Sequence, residues 1–230
     1  LGLHAGLGME FLIGEVRSSV KDGDVVFLSF EYLIGEGQSG VLELTAECYP
    51  ESKKYVNNES LAYSDFKLYL DSVSDKFRSI VFDASSRKRV QLKDPIYSRL
   101  AFNEFGDHTA HLERGSIKIL IDNVVLSYRY WEEIERLNEL NKICKERNVK
   151  LYFSYPCIAE SFYEKNQSVI DRFENDISND LRIPVVNHPR TFVYPDNHFY
   201  DTVYHLNSAG RDKRTETFIE IIKSDKVRLN

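Results

Sequence analysis

The segment 196–214, DNHFYDTVYHLNSAGRDKR, holds Asp201 and His205 four residues apart, followed by Asn207, Gly210 and a helix-like stretch. A carboxylate and an imidazole this close on one loop can form a hydrogen-bonded pair. The carboxylate then fixes the tautomer of the imidazole and stabilises its charged form, while the imidazole serves as general base toward a hydroxyl nucleophile. The same spacing suits a structural loop in which the Asp is a cap and the His is packed. Asp107-His108-x-x-His111 also has ligand-type residues at one-turn spacing. Zinc there needs a third ligand, for which Glu113, His188 and His198 are the candidates. No recognised metalloenzyme spacing is present, so no metal site is expected.

Other nucleophile-like residues carry less. Gly37-Gln38-Ser39-Gly40 does not satisfy Gly-x-Ser-x-Gly, and no strand leads into it. Ser29 and Ser154 sit at the ends of expected strands and are stand-in nucleophiles at most. Cys157 follows a strand and reads as a buried, inert thiol.

The elements that must position these residues follow from periodicity. Positions 9–20 read as a helix, with Phe11, Leu12, Val16 and Val20 at near-helical spacing. A Lys-Asp-Gly-Asp turn leads into 25–30, VVFLSF, a continuously apolar run that fits a strand buried on both faces of a parallel sheet. Gly35, Gly37 and Gly40 mark a loop, 41–49 a short helix, and 61–78 a further helix. Residues 83–116 are rich in turn-forming types and read as an insertion or lid. Trp131, Ile134, Leu137, Leu140 and Ile143 define a strong helix within 122–147, with Asn148 as its cap. Strands are expected at 149–155, stopped by Pro156, and at 183–186; helices are expected at 158–181 and 208–223. Alternating strands and helices are the grammar of a doubly wound sheet. In such sheets functional residues lie in loops beyond the carboxyl ends of strands, here after Phe30, Tyr155 and Val186.

Composition narrows the function classes. With 42% hydrophobic residues and 14 each of Tyr and Phe, the 230 residues can bury a sizeable core. The net charge of -6 argues against a dedicated nucleic-acid binder, and Arg87-Lys88-Arg89 is too short a basic run to change that. Cys48, Cys144 and Cys157 form neither a disulfide framework nor a Cys-x-x-Cys pair. No apolar run reaches the roughly 18 residues of a membrane helix. Localisation, membrane association and oligomeric state are not readable.

The string FYDTVYHLNSAGRDKRT resembles the last conserved block of bacterial SGNH/GDSL hydrolases and related acyltransferases, where an Asp and a His precede the final helix. The family's usual spacing is Asp-x-x-His; here one residue more separates Asp201 from His205. LGLHAGLG at the start resembles the second block, whose glycine lends its backbone N–H to an oxyanion hole. Gly6 is the best match, ahead of Gly2 and Gly8. In place of the third block's Asn this chain has Glu31, a carboxylate that cannot donate to an oxyanion unless protonated. Asn103, in AFNEFGD, is a substitute donor.

The resemblance implies a three-layer α/β/α sandwich with a mostly parallel, flavodoxin-like sheet. It implies a single domain over 1–230 whose first strand and Gly-Asp-Ser nucleophile block lie ahead of Leu1, and a serine-type esterase or O-acyltransferase acting on an acylated carbohydrate or similar ester, without metal or organic cofactor. Asp201 and His205 are the expected catalytic pair, and Gly6 the oxyanion donor. Glu31, Asn103, Asp107 and His108 are expected to contact substrate, the last two from a loop over the site. The alternative is an inactive domain of the same kind that binds a glycan or a partner protein.

Overall fold

The computed structural model describes residues 4–55, 101, 103–104, 107–112, 114–224 and 227. The expected helix at 61–78 and most of the expected insertion at 83–116 lie outside the described residues. What is described is a mixed α/β arrangement with short parallel pairings.

Helix α1 spans Gly8–Ser19 and buries Met9, Phe11 and Leu12. Its first residue has φ +75°, and a Cβ there would run into the backbone of Glu36 and Gly37, so only glycine fits. Strand β1, Val25–Leu28, follows, and then α2, Ser39–Cys48. Helix α3, Glu133–Glu146, presents Ile134, Leu137, Leu140 and Cys144 to the core. Trp131 stands two residues ahead of it, buried, with its indole N–H donating to Ile34 O. Asn148, at φ +55°, ends the helical path as a left-handed residue, the role expected of it.

Strand β2, Lys150–Phe153, runs parallel to β1 with Val25 opposite Lys150 and Leu28 opposite Phe153. On its other edge β2 meets the third strand expected from sequence, which shrinks to a bridge at Val185. The reason is Pro184. It has no N–H to donate, although its carbonyl accepts from Phe153 N–H and Val186 N–H returns a bond to Phe153 O.

Helix α4, Glu160–Asp180, begins two residues later than periodicity predicts. Ile158–Ala159 form the short strand β3 instead, parallel to β4 at Val193–Tyr194. Helix α5 covers Ser208–Lys223, as expected, with Asn207 as N-cap accepting from Gly210 N–H. The main core has Phe153, Tyr155, Phe162, Phe192 and Phe199 among its largest buried side chains, and Tyr152, Val186 and Val227 form a smaller second cluster.

Candidate active site

Asp201 and His205 meet. His205 Nδ1 lies 2.9 Å from Asp201 Oδ1; the Asp side chain is 13% exposed and the His side chain 51%. An ionised carboxylate only accepts, so Nδ1–H donates to it; in the neutral ring that leaves the lone pair on Nε2.

The loop between them is pinned at several points. Tyr200 N–H donates to His205 O at 2.7 Å, and Phe199 pairs antiparallel with Leu206. The hydroxyl of Thr202 accepts from the backbone N–H of both Tyr204 and His205. Ile121 N–H donates to Asp201 O, Val203 N–H donates to Ile121 O, and Ala159 N–H donates to Val203 O. A turn around Thr202 thus brings the two residues, four apart in sequence, into contact.

Glu31 lies three residues beyond the end of β1, and its nearest charged neighbours include His205 and Asp122. It therefore joins the site from the carboxyl end of a parallel strand. Among the described residues no hydrogen bond reaches its carboxylate. Burial pushes its carboxyl up from the ordinary value of 4.5; His205 opposes that shift and Asp122 adds to it. A carboxyl raised on folding costs stability as the pH climbs past its unfolded value, because the folded chain holds the proton more tightly than the unfolded one. Glu31→Gln removes that cost. Its melting temperature is expected to exceed the parent's by roughly 1–3 °C at neutral pH. Calorimetry should find the gap closing below pH 4.5; a gap independent of pH would show that burial of the charge is not the cause.

Gly6 is buried, but its N–H donates to His4 Nδ1 at 2.9 Å while its carbonyl accepts from Gln38 N–H. An oxyanion can use this N–H only after the exposed His4 ring swings aside. Asn103 and Asp107 close on each other: Asn103 Nδ2 donates to Asp107 Oδ2, and Asp107 N–H donates to Asn103 Oδ1. That amide is spent within its own loop.

His108 reaches the Asp201–His205 loop through an intermediary. Its ring stacks on His111 at 4.9 Å, with the two Nδ1 atoms 2.8 Å apart. His111 Nε2 lies 3.1 Å from Leu206 O, and its ring sits 5.6 Å from that of Tyr200. Burial, and then His108, lower the affinity of His111 for a proton. His111 was weighed in the sequence only as a metal ligand. Its place is as a strut between the 107–112 loop and the Asp201–His205 turn, and no spacing rule identifies that.

The remaining candidates resolve separately. His188 caps a short 3-10 turn and pairs with Glu174 at 3.2 Å. Among the described residues no group of three His, Cys, Asp or Glu side chains could hold a metal. The thiol of Cys157 faces Tyr204 O at 3.6 Å, and burial pushes its pKa up, as suits an inert thiol. Ser154 is buried and donates to Tyr155 O.

A cleft of about 640 Å³ follows β1 from Asp24 to Glu31 and is walled by Leu12, Val16 and Val26 of α1 and β1. Glu31 is among its lining residues, and Asp201 and His205 are not. A larger cleft of about 750 Å³, lined by Arg17, Arg136 and Glu139, contains none of the candidate residues. No protein-family model, curated protein or solved structure matches the chain.

Proposed function

We propose that this chain carries the base and its orienting acid for a serine-type ester hydrolase or O-acyltransferase of the SGNH kind, with the short parallel pairings belonging to a three-layer sandwich. The observation that carries the reading is the 2.9 Å contact between His205 Nδ1 and Asp201 Oδ1 in a turn pinned on several sides, with the His205 side chain half-exposed. That is the geometry a general base needs.

In this reading a serine from a segment ahead of Leu1 attacks the acyl carbonyl. His205 Nε2 takes the hydroxyl proton and returns it to the leaving alcohol, while Asp201 stabilises the imidazolium between the two transfers. The acyl group then passes to water or to a sugar hydroxyl. The cleft along β1 receives part of the substrate, with Glu31 in its lining. The test is a fluorophosphonate probe on the full-length protein. A serine adduct that forms at wild-type rate and is nearly abolished by His205→Ala supports the reading; no adduct and no ester turnover refute it.

The occupied N–H of Gly6 and the carboxylate at position 31 favour a second reading, a domain that binds a glycan or partner without turning it over. Under it the probe labels nothing while glycan binding survives His205→Ala.

A further inference from the structure

His108 and His111 face each other with their Nδ1 atoms 2.8 Å apart. Only one hydrogen fits between two nitrogens at that distance. On the far side of His111, Nε2 lies 3.1 Å from Leu206 O. A carbonyl only accepts, so Nε2 of His111 carries a hydrogen. In the neutral ring Nδ1 then holds the lone pair, and His108 Nδ1–H donates to it. The pair can carry one positive charge and keep this contact. With two, each Nδ1 bears a hydrogen and the contact is lost.

The pair sits at a junction. Within its own loop, the N–H groups of Thr109 and Ala110 donate to Ala101 O, and Asn103 N–H donates to Asp107 O. The loop reaches the turn of Asp201 and His205 through His111, at Leu206 O and against the Tyr200 ring. Among the described residues one backbone bond, from Ser208 N–H to Leu112 O, ties it to the start of α5.

The charges around His111 oppose a second cation. His108 and His205 repel it. Asp201 attracts it, but Oδ1 of that carboxylate already accepts from His205 Nδ1. Asp107 is held by Asn103, and in the first turns of α5 Arg211 and Asp212 pair with each other. Along the chain the next cation is Arg114, whose N–H donates to His111 O. Two adjacent imidazolium ions repel more strongly than one carbonyl hydrogen bond holds, so the doubly charged pair gives up Leu206 O as well. Burial, and then His108, bring the proton affinity of His111 below the ordinary value of 6.5. The closed loop therefore binds the second proton less readily than the open one. Its stabilisation is present above the ordinary value and is lost as the pH falls through the lowered one.

We propose that the His108–His111 pair is an acid-released latch, which holds the 107–112 loop against the Asp201–His205 turn while at most one of its rings is charged and lets go when both are. The latch does not depend on the chemistry proposed for that turn.

The test is hydrogen–deuterium exchange of the full-length protein at neutral pH and at about pH 5, with protection corrected for the intrinsic effect of pH on exchange. Protection of the loop amides is expected to fall by about tenfold at the lower pH, while that of α4 is kept. His111→Gln keeps a donor for Leu206 O and an acceptor for His108 but takes no proton, so its loop should stay protected at both pH values. Proton NMR titration of the wild type needs no variant. His108 and His111 should titrate in two separated steps, the second below the ordinary histidine value. Loop protection that pH leaves unchanged in the wild type overturns the proposal. So does a His111→Gln loop that loosens with acid as the wild type does, a parallel loss of protection in α4, or two rings that titrate independently.

Discussion

His205→Ala in the full-length protein is expected to lower ester turnover by about 10⁴-fold, with the Michaelis constant nearly unchanged. The base acts on the transition state through Nε2, which takes the serine proton, and no other described group stands ready to replace it. Asp201→Asn is expected to cost on the order of 10³–10⁴. The amide keeps the shape of the carboxylate but carries no charge to stabilise the imidazolium, and it can offer its NH₂ to Nδ1, which selects the wrong tautomer. The pair works as a unit, so the double variant should fall little below His205→Ala alone. Steady-state kinetics on a chromogenic ester would read all three. Losses that multiply in the double variant would mean that Asp201 and His205 act separately, and that their 2.9 Å contact is a structural cap. An unchanged rate in His205→Ala would remove the base altogether.

The contact between Asp201 and His205 was legible because the two residues lie on one loop, where sequence distance bounds spatial distance. Glu31 was legible because it follows an all-apolar strand, and the carboxyl end of such a strand is where α/β sheets gather functional groups. The donor side was not. Whether Gly6 N–H points at a reacting atom depends on where His4 puts its ring, and periodicity carries no information about that. Asn103 has the right atoms, but its nearest neighbour, Asp107, takes them. Three of the long helices, α1, α4 and α5, were read to within about two residues, whereas α3 begins at Glu133, well inside the 122–147 stretch expected to contain it. The short strands were not, because each is fixed by its partners rather than by itself. Pro184 cuts one to a bridge, and Ile158–Ala159 leave the helical pattern because Val193–Tyr194 and Val203 supply pairing.

Phe153→Ala is expected to destabilise the protein by about 3–5 kcal/mol, which lowers the melting temperature by roughly 10 °C for a chain of this size. Phe153 is 1% exposed and closes the last parallel pair between β1 and β2. Its backbone also binds Pro184 O and Val186 N–H, so it stands where three extended segments meet. Its ring packs edge-on against Tyr155 at 5.5 Å and tilts against Trp131 at 6.5 Å. Truncation leaves a cavity that these two rings cannot fill without leaving their own partners, Trp131 in particular being tied to Ile34 O. Phe153→Leu keeps most of the volume and should cost well under half as much. Chemical denaturation of the three proteins distinguishes the outcomes. Near-equal losses for Ala and Leu would mean that ring geometry governs the site. A negligible loss for Ala would mean that the neighbours collapse freely, and then β2 could not serve as the fixed strand from which Glu31 and the Asp201–His205 turn take their relative positions.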